Sequence, residues 1–133
     1  SPKHEFVGFF IGSPGMNFLD VEILSGEVTV AGQAIGSVAE NLQDGKFKLG
    51  VRPEFVEVDQ AGYEMTVTRV ENRGVYQLAH LEMAGMPIIA KVDSSTVLKA
   101  GEQASFSFSQ DRSFIFQDQK FVSNFVPKSK VSK

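Results

Sequence analysis

The sequence has 133 residues, with 13 Lys and Arg against 16 Asp and Glu, 42% hydrophobic and 22% charged residues, and no cysteine. A chain of this length forms one domain, or two small subdomains on a shared core, and buries roughly two thirds of its unfolded surface. Its ordinary apolar content excludes wholesale disorder, its formal charge of −3 argues against nucleic acid as a partner, and the missing cysteines exclude disulfides and thiolate metal sites.

No apolar run approaches the ~20 residues needed to cross a bilayer, and no basic segment precedes the first apolar run as a secretory leader requires, so a soluble fragment is expected. Twelve Phe stand beside two Tyr and no Trp. Phe has no polar handle, so this aromatic surface is read as interior filling.

In chain order, residues 1–5 are polar, include Pro2, and read as the end of a linker. Residues 6–19, FVGFFIGSPGMNFL, gather large apolar side chains around a Gly12-Ser13-Pro14-Gly15 turn. One reading is a buried amphipathic helical turn that stops at Gly12, where glycine suits a C-terminal cap and Pro14 cannot continue a helix. The other is a docking element continuous with a preceding domain.

From Leu19 the spacing switches to period two: Leu19, Val21 and Ile23 share one face, and Asp20 and Glu22 the other. Ser25-Gly26 marks a turn, Val28 and Val30 alternate with polar residues, Ala31-Gly32 turns again, and residues 33–35 return as a short third strand. Residues 36–45 have loop chemistry, with one helical turn expected at Val38 to Leu42. Phe47, Leu49 and Val51 then define a strand that stops at Arg52-Pro53, because Pro53 lacks the N–H a ladder needs. Pro53 also suits the first position of a helical turn over residues 54–56.

Residues 63–70 read as a long strand with Tyr63, Met65 and Val67 inward and a bulge at Arg69-Val70. Asn72-Arg73-Gly74 is a hairpin turn, residues 75–83 return, Ala84-Gly85 turns, and residues 86–91 form a strand that Pro87 marks as an edge. After a polar connection, Ala104, Phe106 and Phe108 alternate with Ser105, Ser107 and Ser109, the most regular strand pattern in the chain. Residues 111–116 form a closing segment, residues 121–125 a last docked one, and Pro127 opens a mobile basic tail. About nine short strands with glycine turns predict an all-β barrel or sandwich over residues 6–126, followed by a tail at 127–133.

Two stretches carry a family resemblance. Phe6, Val7, Phe10, Ile11, Gly12, Ser13, Pro14, Met16, Asn17, Phe18 and Leu19 match the pattern FVAxFIGSPxMNFL, with Gly8 where alanine is usual, and residues 49–54, LGVRPE, resemble LGIRPE. Both patterns are found in the ATP-binding subunits of sugar-importing ABC transporters, at the junction with and inside their C-terminal regulatory domain. Residues 2–117 are therefore similar to that domain, a TOBE arrangement of OB-like barrel elements with about nine short antiparallel strands and short helical turns.

The resemblance implies a non-catalytic regulatory and dimerisation domain, separated from its nucleotide-binding domain. The implied partners are that domain, a second copy of the subunit, the transporter's membrane subunits and a regulatory protein. ATP and Mg belong to the nucleotide-binding domain, so no cofactor is expected here, and the implied location is cytoplasmic, peripheral to the inner membrane. Phe6, Phe10, Ile11, Gly12, Ser13, Pro14, Met16 and Asn17 become candidate docking residues, and Arg52, Pro53 and Glu54 a candidate interface corner. An isolated fragment is expected to expose apolar surface near residues 6–11 and to self-associate.

The residues themselves supply little chemistry. The phosphate-binding pattern GxxxxGK[ST] is absent, and Gly45-Lys46 is followed by Phe47 inside a strand. His4 and His80 are the only histidines and lack metal-ligand spacing. Carboxylate pairs such as Glu54 with Glu57 or Glu22 with Glu27 read as solvated surface charge, and an Arg52–Glu54 pair as a surface contact worth ~0 to 1 kcal/mol. Lys91 with Ser94, Ser95 and Thr96 offers donors for an oxyanion. An autonomous module binding an oxyanion or a sugar is thus the alternative function.

Overall fold

The period-two runs become strands wherever apolar and polar residues alternate, because a strand sends successive side chains to opposite faces. The computed structural model describes residues 15–128. It places there β1 (Asn17–Leu24), β2 (Glu27–Val30), β3 (Gln33–Val38), β4 (Gly45–Val51), β5 (Val56–Asn72), β6 (Tyr76–Met83), β7 (Met86–Asp93), β8 (Gln103–Phe108), β9 (Ser113–Gln117) and β10 (Lys120–Pro127). Two single 3-10 turns, Pro53–Phe55 and Gln110–Arg112, connect them.

Six strands close into an antiparallel barrel in the order β1-β2-β3-β10-β9-β4, and the other four form a sheet in the order β7-β6-β5-β8. The all-β, OB-like architecture expected from the sequence is therefore present. The barrel is completed by the C-terminal hairpin: β10 lies beside β3, with Phe125 opposite Val38. Residues 121–125 thus belong to a full barrel strand.

Leu19, Ile23, Ile35, Leu49, Ile115 and Phe125 fill the barrel, each 0 or 1% exposed. The sheet adds Met65, Val67, Leu81, Ile88, Phe106 and Phe108 to the same core. Each such side chain contributes about 1.5–3 kcal/mol of hydrophobic stabilisation. Tyr63 on β5 joins the two parts: its hydroxyl donates to the Ile35 carbonyl of β3 at 2.5 Å, and its ring lies 5.4 Å from that of Phe108.

Sequence expectations and structure part at four places. The helical turn at Val38 to Leu42 does not form. Val38 ends β3, and the Ser123 hydroxyl instead accepts the N–H groups of Ala39 and Glu40 at 3.0 and 3.1 Å, which holds the chain as a loop. The bulge in β5 lies at Thr68, since Val67 pairs with Leu81 and Arg69 with His80. The Thr68 hydroxyl caps it by donating to the His80 carbonyl at 3.0 Å. The strand read as 63–70 is the second half of a longer β5, which pairs with β8 in two runs interrupted at residues 59–62, so that Val58 and Tyr63 both stand opposite Phe106. Finally, β10 runs through Pro127, and Lys128 N–H donates to the Ile35 carbonyl at 2.9 Å; residues 129–133 of the expected tail lie outside the described residues.

Three hairpin turns, Ser25-Gly26, Ala31-Gly32 and Ala84-Gly85, have positive φ at both central residues, the geometry that matches strand twist. The β9–β10 turn reaches it without glycine, with φ of 53° at Asp118 and 65° at Gln119. Aromatic residues also cover part of the barrel's outer face. Phe116 alternates with the inward Ile115 and so points outward, yet it is 1% exposed, with Phe18 and Phe121 edge-on at 5.7 and 6.4 Å. Gly50 leaves the room for that ring, because a Cβ there would lie 2.8 Å from it.

Candidate interdomain interface

Phe6, Phe10, Ile11, Gly12, Ser13 and Pro14, six of the candidate docking residues, lie outside the described residues. The description begins at Gly15, exposed and with φ of 90°, and continues through the half-buried Met16 into β1.

Asn17 opens β1 and is 7% exposed. Its side-chain amide donates to the Ile89 carbonyl and accepts from the Ile89 N–H, both at 2.8 Å. The amide therefore does for one residue of β7 what a neighbouring strand would do. Three residues on, the Asp20 N–H points to the Met86 sulfur at 3.3 Å. The first strand of the barrel is thus fastened to an edge of the sheet.

The second candidate element lies beside the first. Asn17 pairs with Val51, so β4 delivers Arg52 to the same end of the barrel. Arg52 is extended and half-buried, Pro53 starts the 3-10 turn as its missing N–H allows, and Glu54 is exposed. The Phe55 N–H closes the turn on the Arg52 carbonyl at 2.9 Å, the Ser109 N–H donates to the Phe55 carbonyl at 3.0 Å, and the Arg112 guanidinium sits 5.4 Å above the Phe55 ring. The turn packs against β7 as well. Two stretches more than thirty residues apart in sequence, one ending at Asn17 and one starting at Arg52, thus meet over a single strand.

The sheet register assembles a charged cluster that the sequence reading did not find. Glu71 accepts from His80 Nε2 at 2.7 Å and lies 3.5 Å from Arg69 and 3.4 Å from Arg73. The His80 hydrogen bond, and after it the two guanidinium charges, hold the Glu71 carboxyl below the usual glutamate range. Residue spacing alone gives His80 no metal-ligand pattern and no partner. Its partner is two positions from the residue it faces across the β5–β6 ladder, a relation visible only once register is known.

Two of the groups considered for oxyanion binding, Ser95 and Lys91, have partners of their own. The Asp93 carboxylate accepts both the hydroxyl and the N–H of Ser95, which holds its pKa below the ordinary aspartate value, and Lys91 Nζ lies 4.4 Å over the Tyr76 ring. Asp93 thus occupies the two donors of Ser95. A shallow groove of about 680 Å³ runs over the barrel between Glu22, Lys46 and Asp118, bridged by an ion pair of 2.5 Å between Lys48 and Asp20. Among the described residues, no three His, Asp or Glu side chains converge as a metal site would require, and no helix is long and apolar enough to cross a membrane.

Residues 49–116 match the TOBE domain family. The sn-glycerol-3-phosphate import ATP-binding protein UgpC of a Ruegeria species is 34% identical over 125 residues, covering 89% of this chain and 34% of that protein. The osmoprotective compounds uptake ATP-binding protein GgtA of a Synechocystis species is 31% identical over 131 residues, covering 86% of this chain and 36% of that protein. The UgpC protein of Psychromonas ingrahamii is 28% identical over 102 residues, covering 75% and 27%. The chain spans about a third of the length of these curated relatives. A closed OB-like barrel, a sheet pinned to it through Asn17, and a family match running from Leu49 on β4 to Phe116 on β9 agree with one another: the chain belongs to the TOBE domain family.

Proposed function

We propose that this chain is the C-terminal regulatory and dimerisation domain of the ATP-binding subunit of an ABC importer for carbohydrates or related small solutes. It performs no chemistry of its own. The observation that carries the reading is the similarity of residues throughout the chain to importer ATP-binding proteins, 34% over 125 residues in the UgpC case. ATP and Mg would be held by a separate nucleotide-binding domain, and the subunit would work in the cytoplasm, peripheral to the inner membrane through the transporter's membrane subunits.

Under this reading residues 6–14 lead from the nucleotide-binding domain, and the corner of Met16, Asn17, Arg52, Pro53 and Glu54 faces it or a second subunit. Fixed internal hydrogen bonds suit such a role, since a surface that transmits movement must keep its own shape. A regulatory protein could use the same exposed corner at Glu54.

The reading frame 5′ of the Ser1 codon tests this directly. A Walker A loop, an LSGGQ-type signature and a Walker B aspartate encoded in the same frame are the expected result. A start codon immediately before Ser1 would overturn the proposal and leave an autonomous module.

A further inference from the structure

The chain has four methionines and neither cysteine nor tryptophan, so a peroxide that reaches it finds thioether sulfur as its main target. Burial then sorts the four. Met65 on β5 is 1% exposed and Met83 on β6 is 6% exposed, both inside the core. Met16 and Met86 are half-buried, and both lie where the first strand of the barrel meets β7.

Met86 also holds a place in the seam between barrel and sheet. β1 pairs with β4 from Asn17 to Ile23, but with β2 only from Glu22 onward. Among the described residues, no strand pairs with the early part of β1 on that second side, and β7 supplies two substitutes. Asn17 takes the backbone of Ile89, and the Met86 sulfur accepts the N–H of Asp20 at 3.3 Å. A thioether is a weak acceptor, so the second fastening is the weaker one. Met86 opens β7 directly after the Ala84-Gly85 turn, opposite Met83, and its side chain packs against the core.

We propose that Met86 is a modification site, an oxidant-sensitive fastening through which a peroxide loosens the start of β7 from β1. In the step, a sulfur lone pair attacks one peroxide oxygen, and the S–O bond forms as the O–O bond breaks. Sulfur gives up two electrons to the peroxide. The departing hydroxide takes the proton of the transferred hydroxyl and leaves as water. A flexible apolar thioether becomes a sulfoxide, polar and chiral at sulfur.

The contact with Asp20 selects which product forms. Sulfur has two lone pairs, and the Asp20 N–H points at one, so the oxidant meets the other. One sulfoxide epimer therefore predominates. Its oxygen points away from Asp20, and the sulfur left facing that N–H carries partial positive charge and no longer serves as an acceptor. The Asp20 N–H loses its partner, while a polar group enters a position packed against apolar neighbours. Asn17 keeps its two bonds to Ile89, so the sheet stays attached at one point. The change is reversible, because reductases specific for each epimer return the sulfoxide to the thioether.

Graded hydrogen peroxide treatment of the folded 133-residue chain, followed by peptide mass spectrometry, is the first test. Met86 is expected to gain one oxygen about tenfold or more faster than Met65 and Met83, and one of the two epimer-specific reductases alone should restore most of the oxidised Met86. The Asp20 amide resonance should shift on oxidation and return on repair. In Met86→Leu, a swap of similar volume, the same treatment should leave that resonance where it was. The rate and epimer measurements use the unaltered chain and do not depend on how the variant folds. Met86 oxidised no faster than Met65, equal repair by the two reductases, or an Asp20 amide that responds to peroxide as strongly in Met86→Leu would each overturn the proposal.

Discussion

Asn17 and Tyr63 each use a side chain to do the work of a backbone. The Asn17 amide satisfies the N–H and the carbonyl of Ile89, so truncation removes two hydrogen bonds and leaves two backbone groups in a largely dry seam. Asn17→Ala should therefore cost about 2–4 kcal/mol, read as a lower midpoint in urea with an unchanged slope. Asn17→Asp should be no better, because a carboxylate cannot donate to the Ile89 carbonyl. Tyr63 carries a pH dependence. Burial is the main cause that pushes its phenol up to about 12 from 10.0, with its hydrogen-bonded state retained to high pH. A raised folded-state value means that Tyr63's contribution is intact below about pH 10 and is lost as pH rises from there through about 12. Thermal unfolding from pH 9 to 12 should show a steeper alkaline decline for the unaltered chain than for Tyr63→Phe. Parallel declines would refute the assignment.

At the scale of elements, the β5–β8 pair does the joining, and it depends on a close approach at Gly62. A Cβ at that position would lie 2.3 Å from the Phe106 carbonyl oxygen, which belongs to backbone and cannot step aside. Gly62→Ala is expected to destabilise the chain by about 3 kcal/mol or more and to disturb the amide signals of β8 in an NMR spectrum before those of β1. What the sequence made legible was local: the alternation in β1, β4 and β8, the glycine hairpins, the edge at Pro87 and the 3-10 turn at Pro53. What it hid was non-local, since nothing near Phe125 announces that it will lie beside Val38, and nothing near Asp118 announces a hairpin made without glycine. The same division holds for the candidate site. Residue patterns singled out Asn17 and Arg52-Pro53-Glu54, but their meeting over β7 follows from the register of Asn17 with Val51. The cluster around Glu71 likewise needed the pairing of β5 with β6.

For the whole molecule, one core serves both the barrel and the sheet, so neither half has a separate apolar interior to retain if the other unfolds. A single cooperative transition is the natural consequence. The two edges of the four-stranded sheet differ: the β7 edge is held by the barrel's first strand through Asn17, and β8, among the described residues, pairs with β5 alone.

The Asn17 fastening also fixes where a pull on the chain would be felt. A tug applied ahead of Gly15 arrives at the first residue of β1, whose seven register pairs with β4 run lengthwise along the barrel and would have to slide together before any could part. Through Ile89 the same tug reaches the sheet without delay. The first residue of β1 is thereby bound to barrel and sheet at once, through Val51 on one side and Ile89 on the other.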